Sequence, residues 1–208
     1  TANASLNAWA KLVGSRALWS AWGELIHTVR TGETAFDHVH GRNVWDARQM
    51  DPEDGALFAL AMGEGSAKVA ADVLSAWNFS QCRHIIDVGG GDGSLLKQLL
   101  VALPEARGTL LDLRYAIEHR DPRCVSHKLA DRLDVVAGDF LTDVPVGADV
   151  YLLKHVLHDW GNREALGILR ACRLAMAAHS RLLVIERLLA PPNEGIEGKL
   201  SDLNMMVV

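Results

Sequence analysis

Apolar positions along the chain fall into two regimes. From Leu6 to about Trp77 they recur at steps of mostly three and four. The first set is Leu6, Trp9, Leu12, Val13, Trp19, Trp22, Ile26 and Val29; the second is Leu57, Leu60, Ala61, Val69, Val73, Leu74 and Trp77. That period marks one face of an α-helix. The first run stops at Arg30-Thr31-Gly32, a basic residue and then glycine. The second starts at Asp51-Pro52, an N-cap residue followed by proline at the first helical position. Gly63 and Gly65 lie inside it. Each costs a helix interior roughly 1 kcal/mol against alanine, so the pair predicts a kink or a close approach. His38 and His40 fall between the runs, in a stretch that reads as solvated loop.

From His84 onward short apolar runs alternate with helical ones. Strands are predicted at His84–Val88, Gly108–Leu113, Leu133–Ala137, Ala148–Leu153 and Arg181–Glu186. Helical segments are predicted at Ser94–Leu103, Tyr115–His119 and Asn162–Ala178, with Cys172 facing the core. Such alternation predicts an α/β fold, a parallel sheet with right-handed crossovers. The boundary is expected at Asn78–Arg83, between a helical segment, residues 1–77, and an α/β domain, residues 78–208.

Composition narrows the function. Apolar residues are 49% and charged residues 23% of 208, the mix of an ordinary globular protein. Lys plus Arg number 21 against 26 Asp plus Glu, a net charge of −5. With no basic surplus to neutralise phosphates, nucleic acid is not an expected partner. Cys82, Cys124 and Cys172 form no CxxC pair, so neither zinc knuckle nor redox dithiol is indicated; a sparse, odd count suits a reducing cytoplasm. No apolar run approaches the ~18 residues of a membrane span, and Thr1–Asn7 does not read as a signal peptide.

The strongest chemical signal is Ile85-Ile86-Asp87-Val88-Gly89-Gly90-Gly91-Asp92-Gly93-Ser94. A buried strand runs through glycines into a helix, whose unpaired N–H groups and close-approaching backbone can hold a ligand. The dinucleotide fingerprint is G-x-G-x-x-G; here Gly89, Gly91 and Gly93 give G-x-G-x-G, with Ser94 where the last glycine belongs. Asp87 would repel a pyrophosphate but would attract the ammonium of S-adenosylmethionine. Asp112, at the end of the next strand, is placed to accept both ribose hydroxyls, with Leu113 beside it. Asp139-Phe140 ends the third strand and offers a carboxylate and a ring to adenine. A nicotinamide-dependent oxidoreductase is the competing reading of this loop.

With these segments in order, the sequence resembles the S-adenosylmethionine-dependent O-methyltransferases. The branch includes the plant caffeic acid and isoflavone enzymes and the actinobacterial polyketide-tailoring enzymes. The resemblance rests on Asp87–Gly93, Leu111-Asp112-Leu113, Gly138-Asp139-Phe140, Ile185-Glu186 and above all Leu153-Lys154-His155-Val156-Leu157-His158-Asp159-Trp160. It covers nearly the whole chain, including Arg30–Glu33 and Phe58–Met62. It implies a Rossmann-like, doubly wound class I methyltransferase sheet, its strands in the order three-two-one-four-five, preceded by linker and dimerisation helices. It also implies methyl transfer to a hydroxyl of an aromatic small molecule in natural-product biosynthesis, yielding S-adenosylhomocysteine.

The resemblance makes His158 the general base, Glu186 a bracket for its ring, Asp159 its neighbour and Lys154 a cofactor contact. It places Met62, Ser66 and Trp160 near the methyl donor and acceptor. On the residues alone, Met62 on an apolar helix face and Trp160 equally read as core. A metal at His155, His158 and Asp159 is not expected, for want of a third committed ligand. The family carries a winged-helix domain before these helices and further strands after the fifth. The sequence begins within the linker helices and ends where the family's next helix starts. The expected partners are therefore a small-molecule acceptor and, across an open fifth strand and the apolar faces of Trp9, Trp19 and Trp22, a homo-oligomer or a complementing chain. A non-catalytic fragment is the other alternative.

Overall fold

The computed structural model describes residues 6–64, 66–118 and 129–208. These divide into two compact units: Met62–Glu186, and the residues up to Ala61 together with Arg187–Val208. His119 and Cys124 lie outside the described residues.

In the helical unit the single expected run to Thr31 breaks into α1 (Asn7–Val13), α2 (Arg16–Gly23) and α3 (Leu25–Thr31). The first break falls at Gly14-Ser15, where the Ser15 hydroxyl accepts the Leu18 amide and caps α2. Gly32, left-handed at φ 77°, ends α3. His38 and His40 are not in a loop. They belong to α4 (Ala35–His40), capped by Thr34, with the His38 ring stacked 3.8 Å from His27. Helix α5 (Val44–Met50) follows an Asn43 cap. Helix α6 (Pro52–Gly63) opens on Asp51, whose carboxylate accepts the Glu53 and Asp54 amides as the Asp-Pro signal predicts. Arg48 is buried with its guanidinium 3.7 Å over the Phe58 ring, beside Asp54.

In the α/β unit, α7 (Ser66–Ala76) precedes β1 (His84–Val88), α8 (Ser94–Ala102), β2 (Arg107–Asp112), α9 (Arg114–Glu118), β3 (Leu133–Ala137), β4 (Val150–Lys154), α10 (Asn162–Ala175) and β5 (Arg181–Ile185). All pairings are parallel, in the order β3-β2-β1-β4-β5. The last helix, α11 (Ile196–Val207), belongs to the helical unit, where Asn204 accepts the Trp22 indole N–H. Helix α7 falls with the sheet, although it precedes residue 77, because Ala70 and Val73 join one of the sheet's two cores.

Strand alternation sorts the side chains between those cores. Ile85, Leu110 and Leu152 pack with α7 and α8; Ile86, Val88, Leu111 and Leu153 pack with Ile168 and Cys172 of α10. Burial pushes the Cys82 and Cys172 thiols up to about 11, so both are protonated packing groups at neutral pH. Asp87 falls on the Ile85 side. The register sets Val88 beside Leu111, Asp112 beside Ala137 and Lys154 beside Ile185. The glycine loop, Asp112, Asp139, His155 and Glu186 therefore all lie at the carboxyl ends of the strands, on the side of the sheet where strand order reverses between β1 and β4. Open α/β sheets bind ligands at that crevice.

Candidate active site

The loop after β1 turns through three glycines at positive φ: Gly89, Gly91 and Gly93. A Cβ on Gly90 would lie 2.5 Å from Leu110 and 2.6 Å from the Asp87 carboxylate, so this position admits nothing larger than glycine. Gly91, at φ 59°, faces open space, which leaves its backbone accessible. Its N–H donates to Asp112 Oδ2 at 2.7 Å, and the Leu113 N–H donates to Oδ1 at 2.7 Å. Asp112 thus ties the loop to the end of β2. Burial raises its pKa against the pull of those two amides.

Asp87 is only 1% exposed, and among the described residues neither carboxylate oxygen accepts a hydrogen bond. Burial, opposed by Lys154 and aided by Asp112 and Asp92, raises its pKa to about 7. An unsatisfied buried carboxylate is costly unless a cation reaches it. Lys154 feels Asp87, Asp92 and Glu186, and burial holds its own pKa below the usual lysine value despite them. It stands between the glycine loop and the second cluster of ionisable groups.

That cluster starts where β4 ends. His155 sits at φ 55°, and a 3-10 turn, Leu157–Asp159, follows. His158 Nδ1 lies 2.7 Å from Glu186 Oε2, while Oε1 accepts the Val156 and Leu157 amides, each at 3.1 Å. Burial pushes Glu186 up, but the His158 hydrogen bond and charge, the nearby His155 and the Leu157 amide outweigh it, so the carboxyl titrates below its usual range. Glu186 is therefore a carboxylate at neutral pH, and a neutral His158 must carry its proton on Nδ1. Asp159 Oδ1 lies 3.4 Å from Nε2, so carboxylates flank both ring nitrogens.

Residues 22–208 match the O-methyltransferase domain family. The chain belongs to that family. It is 44% identical over 171 residues to the mitomycin biosynthesis 6-O-methyltransferase of Streptomyces lavendulae, covering 82% of this chain and 49% of that protein. The solved structure of LaPhzM superposes with a TM-score of 0.92 at 37% identity, over 98% of this chain and 61% of that one. That of the O-methyltransferase NcsB1, in complex with S-adenosylmethionine and 2-hydroxy-5-methyl naphthoic acid, gives 0.85 at 32%, over 98% and 61%. The chain spans about half the length of the curated relatives it matches.

In this O-methyltransferase-family chain the remaining residues singled out in the sequence take varied positions. Met62, half-buried, and Ser66, buried, flank the α6–α7 break. Asp139 Oδ1 accepts the Leu141 amide at 2.8 Å. Phe140 is buried against Gly89 and Val156 and meets Trp160 edge-on at 5.9 Å; Trp160 packs against the α10-side core. Among the described residues no three His, Cys, Asp or Glu side chains are grouped to hold a metal.

Two further residues shape the loop: Asp92, which the sequence did not single out, and Gly63, where the glycine pair predicts a kink or a close approach. Asp92 is buried and accepts both the amide and the hydroxyl of Ser94, organising the start of α8. A Cβ on Gly63 would lie 2.6 Å from Asp92 Oδ2, so this glycine lets the end of α6 meet the loop. Asp92 had a local signal, an aspartate two residues before a helix; the partner of Gly63 had none.

Proposed function

We propose that the protein is an S-adenosylmethionine-dependent O-methyltransferase acting on a hydroxyl of an aromatic or polyketide-like small molecule, with His158 as general base. The observation that carries this reading is the 2.7 Å His158–Glu186 hydrogen bond at the mouth of the switch-point crevice. The O-methyltransferase activity of its relatives supports it. The unsatisfied carboxylate of Asp87 fits a cationic ligand better than a pyrophosphate, which weighs against the nicotinamide alternative.

Asp87 would receive the ammonium, Gly89, Gly91 and Gly93 would give the backbone approach, and Asp112 with Leu113 would take the ribose. Asp139 and Phe140 would border adenine, and Lys154 would close the cofactor side. When bound, S-adenosylmethionine supplies a methyl already activated by its sulfonium and leaves as S-adenosylhomocysteine. The chain's own work is to align the acceptor oxygen and remove its proton. Glu186 accepts the Nδ1–H, which leaves the Nε2 lone pair to take the hydroxyl proton. Asp159 then lies beside the new N–H and stabilises the imidazolium. Met62, Ser66 and Trp160 are the proposed walls of the acceptor side.

The proposal includes a homo-oligomer or complementing chain in a reducing, cytoplasmic setting. Among the described residues β5 pairs with β4 alone, and its Val184 is exposed. No helix among them is long and apolar enough to cross a membrane.

The direct test incubates the protein with S-adenosylmethionine and a panel of hydroxynaphthoates, hydroxyphenazines and hydroxyquinones. Mass spectrometry should show one added methyl. Calorimetry should show binding of S-adenosylhomocysteine and none of NAD; the reverse preference would sink the reading. Asp112→Ala should weaken S-adenosylhomocysteine binding at least ~10-fold, since charge-assisted hydrogen bonds contribute roughly 1.5–3 kcal/mol each. Unchanged affinity in a folded variant would refute the ribose assignment.

A further inference from the structure

His155 is a non-glycine residue in the left-handed region, at φ 55°, immediately after β4. Histidine enters that region more readily than most side chains, whereas a β-branched residue there is a genuine outlier. The conformation has a local consequence. The His155 N–H still follows the ladder and donates to Ile185 O at 3.0 Å. In a continuing strand the next two amides would point to opposite sides. Here the left-handed residue is followed by Val156 in the right-handed region, at φ −112° and ψ −49°. Successive residues of opposite hand turn their amides toward one point and make an anion-binding concavity. Both the Val156 and the Leu157 N–H are 3.1 Å from the same oxygen, Glu186 Oε1. The other oxygen is thereby aimed at His158 Nδ1.

We propose that His155 is a positioning residue, whose left-handed backbone builds the amide nest that fixes Glu186 and, through it, the Nδ1-protonated form of His158. Calling the pair functional rests on the general-base reading above; the nest itself does not. The role belongs to the backbone conformation, not to the imidazole, although that ring lies 5.5 Å from the His158 ring.

The test is nitrogen NMR of the histidine-labelled full chain, with the His158 signals assigned by their disappearance in His158→Gln. At a pH where His158 is neutral, the parent should show its proton on Nδ1. His155→Gly and His155→Asn, which accept the left-handed region, should keep that signature. His155→Val should lose it and show the ordinary Nε2-protonated form. If His155→Val does not fold, His155→Ala, which lacks the β-branch, takes its place and should show partial loss.

Calorimetry with S-adenosylhomocysteine checks that the glycine-loop side is intact in each variant. Retention of the Nδ1 proton in both His155→Val and His155→Ala would overturn the proposal. So would its loss in Gly and Asn variants that fold, since the ring would then be the active part. His158→Ala, assayed for methyl transfer in the panel above, tests the base separately. Its failure to lower turnover would remove the general-base reading and leave the NMR result standing.

Discussion

His158→Ala should slow methyl transfer to a phenolic acceptor by about 10²–10⁴-fold, the usual contribution of general-base catalysis. Phenols have a pKa near 10, so almost none arrives ionised at neutral pH and a proton must leave as the new bond forms. The effect should fall on kcat. S-adenosylhomocysteine affinity should change little, because the glycine loop, Asp87 and Asp112 are untouched. Glu186→Gln sharpens the test. The Val156 and Leu157 amides require an acceptor, so the glutamine oxygen takes their side and its NH₂ faces His158 Nδ1. A donor there forces the proton onto Nε2, the nitrogen that must accept. The isosteric variant should therefore lose nearly as much as His158→Ala, as aspartate-to-asparagine changes do in serine protease triads. A loss below about threefold in His158→Ala would mean that alignment alone drives transfer. Loss in His158→Ala with full activity in Glu186→Gln would mean that the tautomer is not under Glu186 control.

Much of the α/β unit was legible because its signals are local. His84–Val88 is apolar enough to be buried on both faces, and glycines follow it into a helix, so β1, the loop and α8 appear within about a residue of their expected bounds. The strand order follows from family resemblance and is observed. The helical unit was harder. Apolar spacing from Leu6 to Val29 continues across Gly14-Ser15 and Glu24, so periodicity alone could not reveal three helices. It was also silent on α4, whose Thr34 cap precedes a segment with little apolar pattern. In the site, residue types announced the carboxylates and His158, but not how they are held. The nest under Glu186 depends on one backbone angle at a histidine. The need for glycine at residue 63 depends on an aspartate distant in sequence. The glycine pair signalled a kink or a close approach, but the partner of such a contact carries no period and no composition.

Asp87→Asn should make the ligand-free protein more stable at pH 8 while weakening its hold on S-adenosylmethionine. Burial raises the Asp87 pKa from 3.8 to about 7, so the folded chain keeps a proton there that the unfolded chain releases. Between those two values the folded state binds more protons, and stability falls as pH rises. The protonated group's contribution is fully present below about pH 4 and is lost as pH passes through 7. A shift of that size corresponds to at most about 4 kcal/mol above neutrality. Asparagine removes the charge and with it the pH dependence. Thermal melts should therefore show a raised Tm for Asp87→Asn at pH 8 and little gain at pH 4. The cationic ligand reverses the balance: its ammonium favours the carboxylate, so binding near pH 6.5 should release a proton. Calorimetry in two buffers of different ionisation enthalpy measures that release directly. In Asp87→Asn the release should vanish and affinity should fall about 10- to 100-fold, the range expected for one charge-assisted hydrogen bond. Unchanged affinity with the proton release intact would place the ammonium elsewhere. A variant that binds as weakly as predicted yet melts no higher at pH 8 would show that the buried carboxylate is already neutralised by Lys154 before any ligand arrives.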